Sequence, residues 1–508
     1  MKNQLKIGSL LSYLQIGVGI LVNLLYTPVM IRLLGQSEYG LYNTVASIIS
    51  ILSILSLGFN AGYIRYYSKY KKENDQESIY KLNGLFLIVF SIIGVVAFLC
   101  GLFLSQNIDM VFDKGLTPSE ASTAKILMLL LAINLAVTFI MTVFSSIISA
   151  NEKFIFLKLL GIVKIAGGPL VTLPLLLAGY ASVAMVTATL CVNLFVDVCY
   201  FVYVIFVLKN KFVFRGFEKR IFRSLFCYTA FIAMNVIVDQ VNWNLGKFLL
   251  GRFKGTEIVA VYSAGYALFQ CYMMFSTAVS GLFTPRIHRI VVETENCQEQ
   301  RKGKFTDLFT RIGRIQYLIL ALLATGLIFF GKPFIGYWAG DGYGDSYYVV
   351  ILFVLASTVP LIQNVGIEIQ RALNKHQFRS IIYIFMAALN LVSSIFLCKA
   401  YGAVGAAIGT SVALVVANGL IMNIYYHKKC NINILCFWKN ILRQSLGLII
   451  PVAFGVVIML FVEITSVWAL ILWIGAYSVV YCVSMFFLGM NKYERGLILN
   501  PLRKVLGR

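Results

Sequence analysis

Apolar runs of roughly membrane-crossing length follow one another along almost the whole chain, separated by short charged segments. A hydrocarbon core about 30 Å thick needs about 20 apolar residues in a helix that rises 1.5 Å per residue. Runs that meet this need lie near residues 8–34, 41–67, 83–105, 122–150, 154–178 and 182–208. Six more lie near 223–250, 257–285, 315–331, 347–371, 379–398 and 403–426, and two near 441–463 and 467–489. The pattern predicts an all-α membrane protein with about 14 transmembrane helices. Runs that contain Pro28, Pro169 with Pro174, and Pro360 are expected to kink where a backbone hydrogen bond is lost.

One of these runs carries charge inside it. In the stretch from Tyr228 to Arg289, Asn235, Asp239, Asn242 and Gly246 fall at steps of four, three and four, so they share one helical face, with Gln240, Asn244 and Lys247 beside it. An ionised side chain at bilayer depth costs about 2.5–3.5 kcal/mol even on the lenient insertion scale. That face is therefore expected to look towards other helices or a wet cavity rather than towards lipid.

Composition agrees: 59% of the 508 residues are hydrophobic and 13% charged, where soluble domains carry about 25% charged residues. The first run is longer than a signal-peptide core and is expected to stay as an anchor. The ten cysteines include no CxxC pair, so neither a disulfide frame nor a metal site is expected. The formal charge of +22 raises nucleic acid as a partner, but its distribution argues otherwise. When charged segments are assigned to alternate sides, most of the 43 Lys and Arg residues fall on the side that holds both termini. By the positive-inside rule that side is cytoplasmic, and the charge is an orientation signal.

The two halves echo each other. Arg32-Leu33-Leu34-Gly35, followed by Gly40-Leu41-Tyr42, returns as Phe248-Leu249-Leu250-Gly251, followed by Val261-Tyr262-Ser263. Six spans per repeat give both repeats one orientation, which predicts two pseudo-symmetric six-helix lobes around a central cavity. The expected division is an N-terminal lobe over 1–208, a cytoplasmic joining segment over 209–223, a second lobe over 224–430, and two further helices with a tail over 431–508.

Several stretches carry a family likeness: PVMIRLLGQSEYGLY, GFNAGYIRYYSKY, LGKFLLG, VYSAGYAL, TPRI, NKHQFRS and YGAVGAAIGTSVA. Across essentially the whole chain the sequence resembles the polysaccharide-transporter family, with the Wzx-type O-antigen flippases as its best-known members. That family belongs to the multidrug/oligosaccharidyl-lipid/polysaccharide exporter superfamily. The resemblance implies translocation of an undecaprenyl-pyrophosphate-linked oligosaccharide from the inner to the outer leaflet of a bacterial inner membrane by alternating access. It also implies partnership with a polysaccharide polymerase and glycosyltransferases. A two-lobed chain encloses its own cleft, so a monomer is expected to suffice.

Depth and type single out the candidate residues. Lys164 lies near the middle of its span, and Asp239 and Asp197 are the other deep ionisable groups. The resemblance places spans one, two, seven and eight around the cleft, which adds Arg32, Arg65, Asn235, Lys247 and Arg286 to Lys164 as candidate ligands of the pyrophosphate and sugars. Arginine's planar fork suits the oxygens of a pyrophosphate. Asp197, Asp239 and Glu368 are candidates for coupling to a proton or sodium ion, with Glu368 and its neighbour Arg371 also suited to pair with each other. No other cofactor is expected.

Two further readings remain at this level. A small-molecule exporter of the same superfamily would share the architecture but favour an acidic, aromatic pocket. A membrane glycosyltransferase or polymerase would need an acidic catalytic motif, and Asp341 and Asp345 in GDGYGDS read better as a glycine-rich turn. No GxxxxGK[ST] motif is present, which excludes a P-loop ATPase.

Overall fold

A computed structural model describes residues 2–56, 58–112, 116–216, 219–280, 283–294, 297–373, 375 and 377–505. Residues 217 and 218 of the joining segment lie outside the described residues. Among the described residues the chain is helix and connecting turn, with no strand. The helices are α1 (Lys2–Ile51), α2 (Phe59–Lys72), α3 (Gln76–Gln106), α4 (Ile108–Val111), α5 (Pro118–Ala150), α6 (Phe154–Leu177) and α7 (Ser182–Val202). They continue as α8 (Lys219–Phe253), α9 (Thr256–Ser280), α10 (Thr284–Glu293), α11 (Gln298–Ala339), α12 (Ser346–Ile362), α13 (Val365–Ala372) and α14 (Gln377–Leu414). The last are α15 (Asn423–Lys429), α16 (Ile434–Ser445), α17 (Ile449–Phe461), α18 (Val467–Ser484) and α19 (Lys492–Val505).

Ten helical stretches among the described residues are long and apolar enough to cross a membrane. The difference from the expected fourteen has identifiable causes. α1 and α14 each run through a glycine in a non-helical conformation, Gly35 at φ 76° and Gly402 at φ 57°, and so hold two runs apiece. Both φ values lie where only glycine is at ease. At Gly402 the chain folds back: a Cβ on Gly409 would lie 2.7 Å from the Ser394 hydroxyl of the preceding arm. The tenth run is split into α12 and α13, bent by 42°, just after Pro360. α8, with its internal polar stripe, is the fourteenth.

Lipid-facing sides are legible in exposure. Leu10, Leu14, Leu21 and Leu25 on α1, and Ile381, Phe385, Val392 and Phe396 on α14, repeat at steps of four and seven and are all exposed. An apolar stripe turned outward is the inverse of a soluble helix and identifies a multi-pass membrane protein.

The helices form two compact units, Met1–Ser263 with Tyr383–Gly409, and Ala264–Ile382 with Thr410–Arg508. In the first unit the beginning of α1 runs parallel to α6: a Cβ on Gly8 would meet Phe154, one on Gly161 would meet Gln15, and Tyr26 shares a 2.6 Å hydrogen bond with Thr172. An aromatic core around Phe59, Tyr63, Phe86 and Phe90 joins α2 to α3. The joining segment is tied to that core, because buried Asn83 accepts from the Tyr63 hydroxyl at 2.7 Å and donates to the Lys211 carbonyl at 3.1 Å. In the second unit Phe330, Ile458, Tyr477 and Tyr481 pack α11 against α17 and α18.

Candidate functional site

The polar stripe of α8 is divided: Asn242 and Gly246 are buried against protein, whereas Asp239 is exposed. Asn242 is buried and its Oδ1 accepts a 3.0 Å hydrogen bond from Asn390 on α14, whose own Oδ1 accepts from Ser394. Gly246 packs so tightly that a Cβ there would lie 2.8 Å from the Tyr262 hydroxyl. Asn242 and Gly246 are thus packing residues. Asn235 and Lys247 are half-buried, Asp239 is exposed, and Asn244 donates to Gln240 at 2.7 Å.

The repeated Leu-Leu-Gly does not occupy equivalent places. Gly35 breaks α1 three residues after exposed Arg32, whereas Gly251 stays helical against Thr44 and the break falls at Gly255, φ 96°. Lys247 therefore sits well inside α8, while Arg32 stands beside a break.

Lys164 and Asp197 lie on neighbouring helices: α6 and α7 pack side by side, with Lys164 half-buried on the one and Asp197 buried on the other. Asp197 belongs to a polar file on α7. One turn before it Asn193 donates to Asn134 on α5 at 3.1 Å, and Tyr200 follows three residues later. Arg65 is exposed, on the side of α2 away from buried Tyr63, Tyr67 and Tyr70.

In the second unit, Glu368 and Arg371 form an ion pair at 2.7 Å on α13. Above them the bend after α12 is held by a polar knot. Ser276 donates to the Leu361 carbonyl at 2.9 Å and accepts from Asn364 at 3.0 Å and from Gln316 at 3.1 Å. The knot supplies partners that the interrupted helix lost. Arg286 is exposed on α10 and lines a cleft of about 540 Å³ with Arg289, Ile290, Glu293, Lys304, Asp307 and Leu308.

One strong charge escaped the sequence reading. Arg314 on α11, 5% exposed, forms a two-pronged pair with Glu494 on α19, 2% exposed, at 2.6 and 2.8 Å. Its remaining donors reach the Asn440 and Gly489 carbonyls at 2.8 and 2.9 Å. The sequence shows Arg314 only as one more basic residue at the end of a span.

A family model described as "Polysaccharide biosynthesis protein" matches residues 7–291. A Shigella flexneri protein assigned as an O-antigen transporter is 22% identical over 409 residues, covering 79% of this chain and 92% of its own. A Haloferax volcanii protein assigned as the low-salt glycan biosynthesis flippase Agl15 is 24% identical over 197 residues, covering 38% of this chain and 40% of its own. Among solved structures, the lipid II flippase MurJ in an inward closed conformation superposes with a TM-score of 0.72 at 18% identity, covering 97% of this chain and 99% of MurJ. The multidrug transporter DinF-BH, of the MATE type, superposes at 0.61 with 15% identity, covering 85% of this chain and 96% of its own.

Proposed function

We propose, from the premise that this chain belongs to the polysaccharide biosynthesis protein family, that it is a flippase for a lipid-linked oligosaccharide. The substrate is a polyprenyl-pyrophosphate-linked repeat unit, moved from the cytoplasmic to the outer leaflet of a bacterial inner membrane by alternating access. One observation carries the reading most directly: this MurJ-like fold holds polar and cationic side chains, Lys164 and Lys247 among them, within helices otherwise built for lipid. Sugar and pyrophosphate are what the bilayer core rejects, whereas a polyprenyl tail dissolves in it. The protein need only shield the head group.

In this scheme Arg32, Arg65, Lys164, Asn235, Lys247 and Arg286 supply donors and positive charge to the head group. A guanidinium binds phosphate oxygens in pairs, and an ammonium acts as a point charge. The basic side of the protein, with both termini, faces the cytoplasm. An inside-negative potential favours outward movement of an anion by about 2.3 kcal/mol per charge per 100 mV. Ion coupling therefore serves direction rather than charge, and Asp197 and Asp239 are its carriers, with Glu368 held in its local pair. A polymerase and glycosyltransferases supply and consume the substrate.

Reconstitution in liposomes tests the function. Protein-dependent exposure of a polyprenyl-pyrophosphate oligosaccharide to an externally added sugar-cleaving enzyme is the expected result. Efflux of cationic dyes without movement of the lipid would support the drug-exporter reading instead. In the same assay D197N/D239N is expected to lose its response to an imposed proton or sodium gradient, and an unchanged response would remove both residues from coupling.

A further inference from the structure

The corner between α10 and α11 presents two exposed arginines, Arg286 and Arg289. α10 is amphipathic: Ile287 and Ile290 are buried, while Arg286, Arg289 and Glu293, at steps of three and four, share an exposed face beside them. Residues three apart on a helix are neighbours, with Cβ atoms about 5–6 Å apart. The corner is braced by Arg301, which donates to the Thr294 hydroxyl at 3.2 Å and to the Thr294 carbonyl at 2.8 Å. Arg286 and Arg289 are therefore displayed by a supported helix rather than by a loose tail.

The acids in the cleft are already engaged. Glu293 pairs with Lys304 at 3.0 Å, and Asp307 pairs with Arg311 at 3.0 Å. Neither Arg286 nor Arg289 has a hydrogen-bond or ion-pair partner among the described residues. Ile290 and Leu308 add apolar surface to the same cleft of about 540 Å³. Two uncommitted guanidiniums beside an apolar floor, on the side that charge distribution assigns to the cytoplasm, suit an amphiphile with a phosphate-bearing head.

We propose that the α10–α11 cleft is a capture site for the phosphate-bearing head group of a lipid, with Arg286 and Arg289 clasping its oxygens before transport begins. The choice of the substrate's pyrophosphate as that head group rests on the flippase reading. The cleft itself rests on its own chemistry, which an anionic phospholipid also satisfies. Arg289 thereby becomes a binding residue beside Arg286, whereas the spans hold the groups that act during passage.

The test is binding to the purified full chain in detergent, by native mass spectrometry, of undecaprenyl diphosphate, phosphatidylglycerol and uncharged undecaprenol. R286Q/R289Q is expected to weaken the phosphate lipids at least tenfold and to leave undecaprenol unchanged, which also reports that the variant is folded. K428Q/K429Q removes the same charge from exposed positions elsewhere on that side and is expected to change little. R286K/R289K keeps the charge but loses the fork, and an intermediate weakening is expected. Loss confined to undecaprenyl diphosphate identifies the substrate's head group, and equal loss for phosphatidylglycerol identifies a general lipid head group. Unchanged binding of both by R286Q/R289Q, or equal weakening by K428Q/K429Q, overturns the capture site. Binding is read without transport. A protein that loses head-group binding in R286Q/R289Q yet moves no oligosaccharide would therefore sink the flippase reading and leave the cleft standing.

Discussion

R314M is expected to lower stability by about 3–5 kcal/mol, because it leaves the Glu494 carboxylate buried without its cation. The cost is large because no other cation among the described residues pairs with this carboxylate: its other hydrogen bond there comes from the Asn491 backbone amide at 2.9 Å. The pair also joins α19 to α11, and the same guanidinium satisfies carbonyls at Asn440 and Gly489. R314M/E494L removes both charges together and is expected to recover more than half of the loss, since an apolar pair can replace a buried ion pair at little cost. Thermal unfolding in detergent, followed by size-exclusion chromatography, measures both variants. A single variant within about 1 kcal/mol of the parent would show that the pair is dispensable.

G40A is expected to reduce transport at least tenfold. A Cβ on Gly40 would overlap the Thr256 carbonyl oxygen, a backbone atom that can retreat only if the start of α9 moves. Nearby, a Cβ on Gly251 would overlap the Thr44 methyl, and the Ser37 hydroxyl lies 3.2 Å from that of Thr256. Glu38 reaches the Ser182 amide at 2.7 Å, and Ser37 reaches Glu120 at the start of α5. The stretch after the Gly35 break is thus the hub where α5, α7, α8 and α9 meet, on the side that charge assigns outside. Overpacking here costs about 1–3 kcal/mol and holds the hub apart. A cysteine at buried Thr44 is expected to become reactive to an impermeant thiol reagent in G40A. G17A serves as the control, because a Cβ on Gly17 meets nothing within 4 Å. Normal transport and an unreactive Thr44→Cys in G40A would mean that the close approach is not needed.

What the sequence disclosed divides by distance along the chain. Gly35 and Gly402 fall in the gaps between apolar runs, so these breaks were legible from a few residues each, whereas the bend between α12 and α13 lies beyond Pro360 rather than at the Ala356 carbonyl that loses its donor. The Glu368–Arg371 pair lies within one helical turn and was equally local. The helical face of Asn242 was legible from periodicity, but its partner Asn390 lies 148 residues away and periodicity carries no partner. Arg314 and Glu494 are 180 residues apart, and in sequence both look like ordinary charges near the ends of apolar runs. That Lys164 and Asp197 sit on helices packed side by side needed the structure. The repeat of Leu-Leu-Gly misled about register, because the second copy stays helical where tertiary packing holds Gly251 against Thr44.

The central claim is that a lipid-linked oligosaccharide changes leaflet because of this protein. Its most direct test is the leaflet location of the polyprenyl-linked oligosaccharide in cells depleted of the protein, with mass spectrometry of the lipid and outer-face labelling of its sugar. The account predicts an intact repeat unit accumulating on the inner face, beyond the reach of the label. Normal labelling at the outer face, with no rise in the lipid-linked pool, would contradict it.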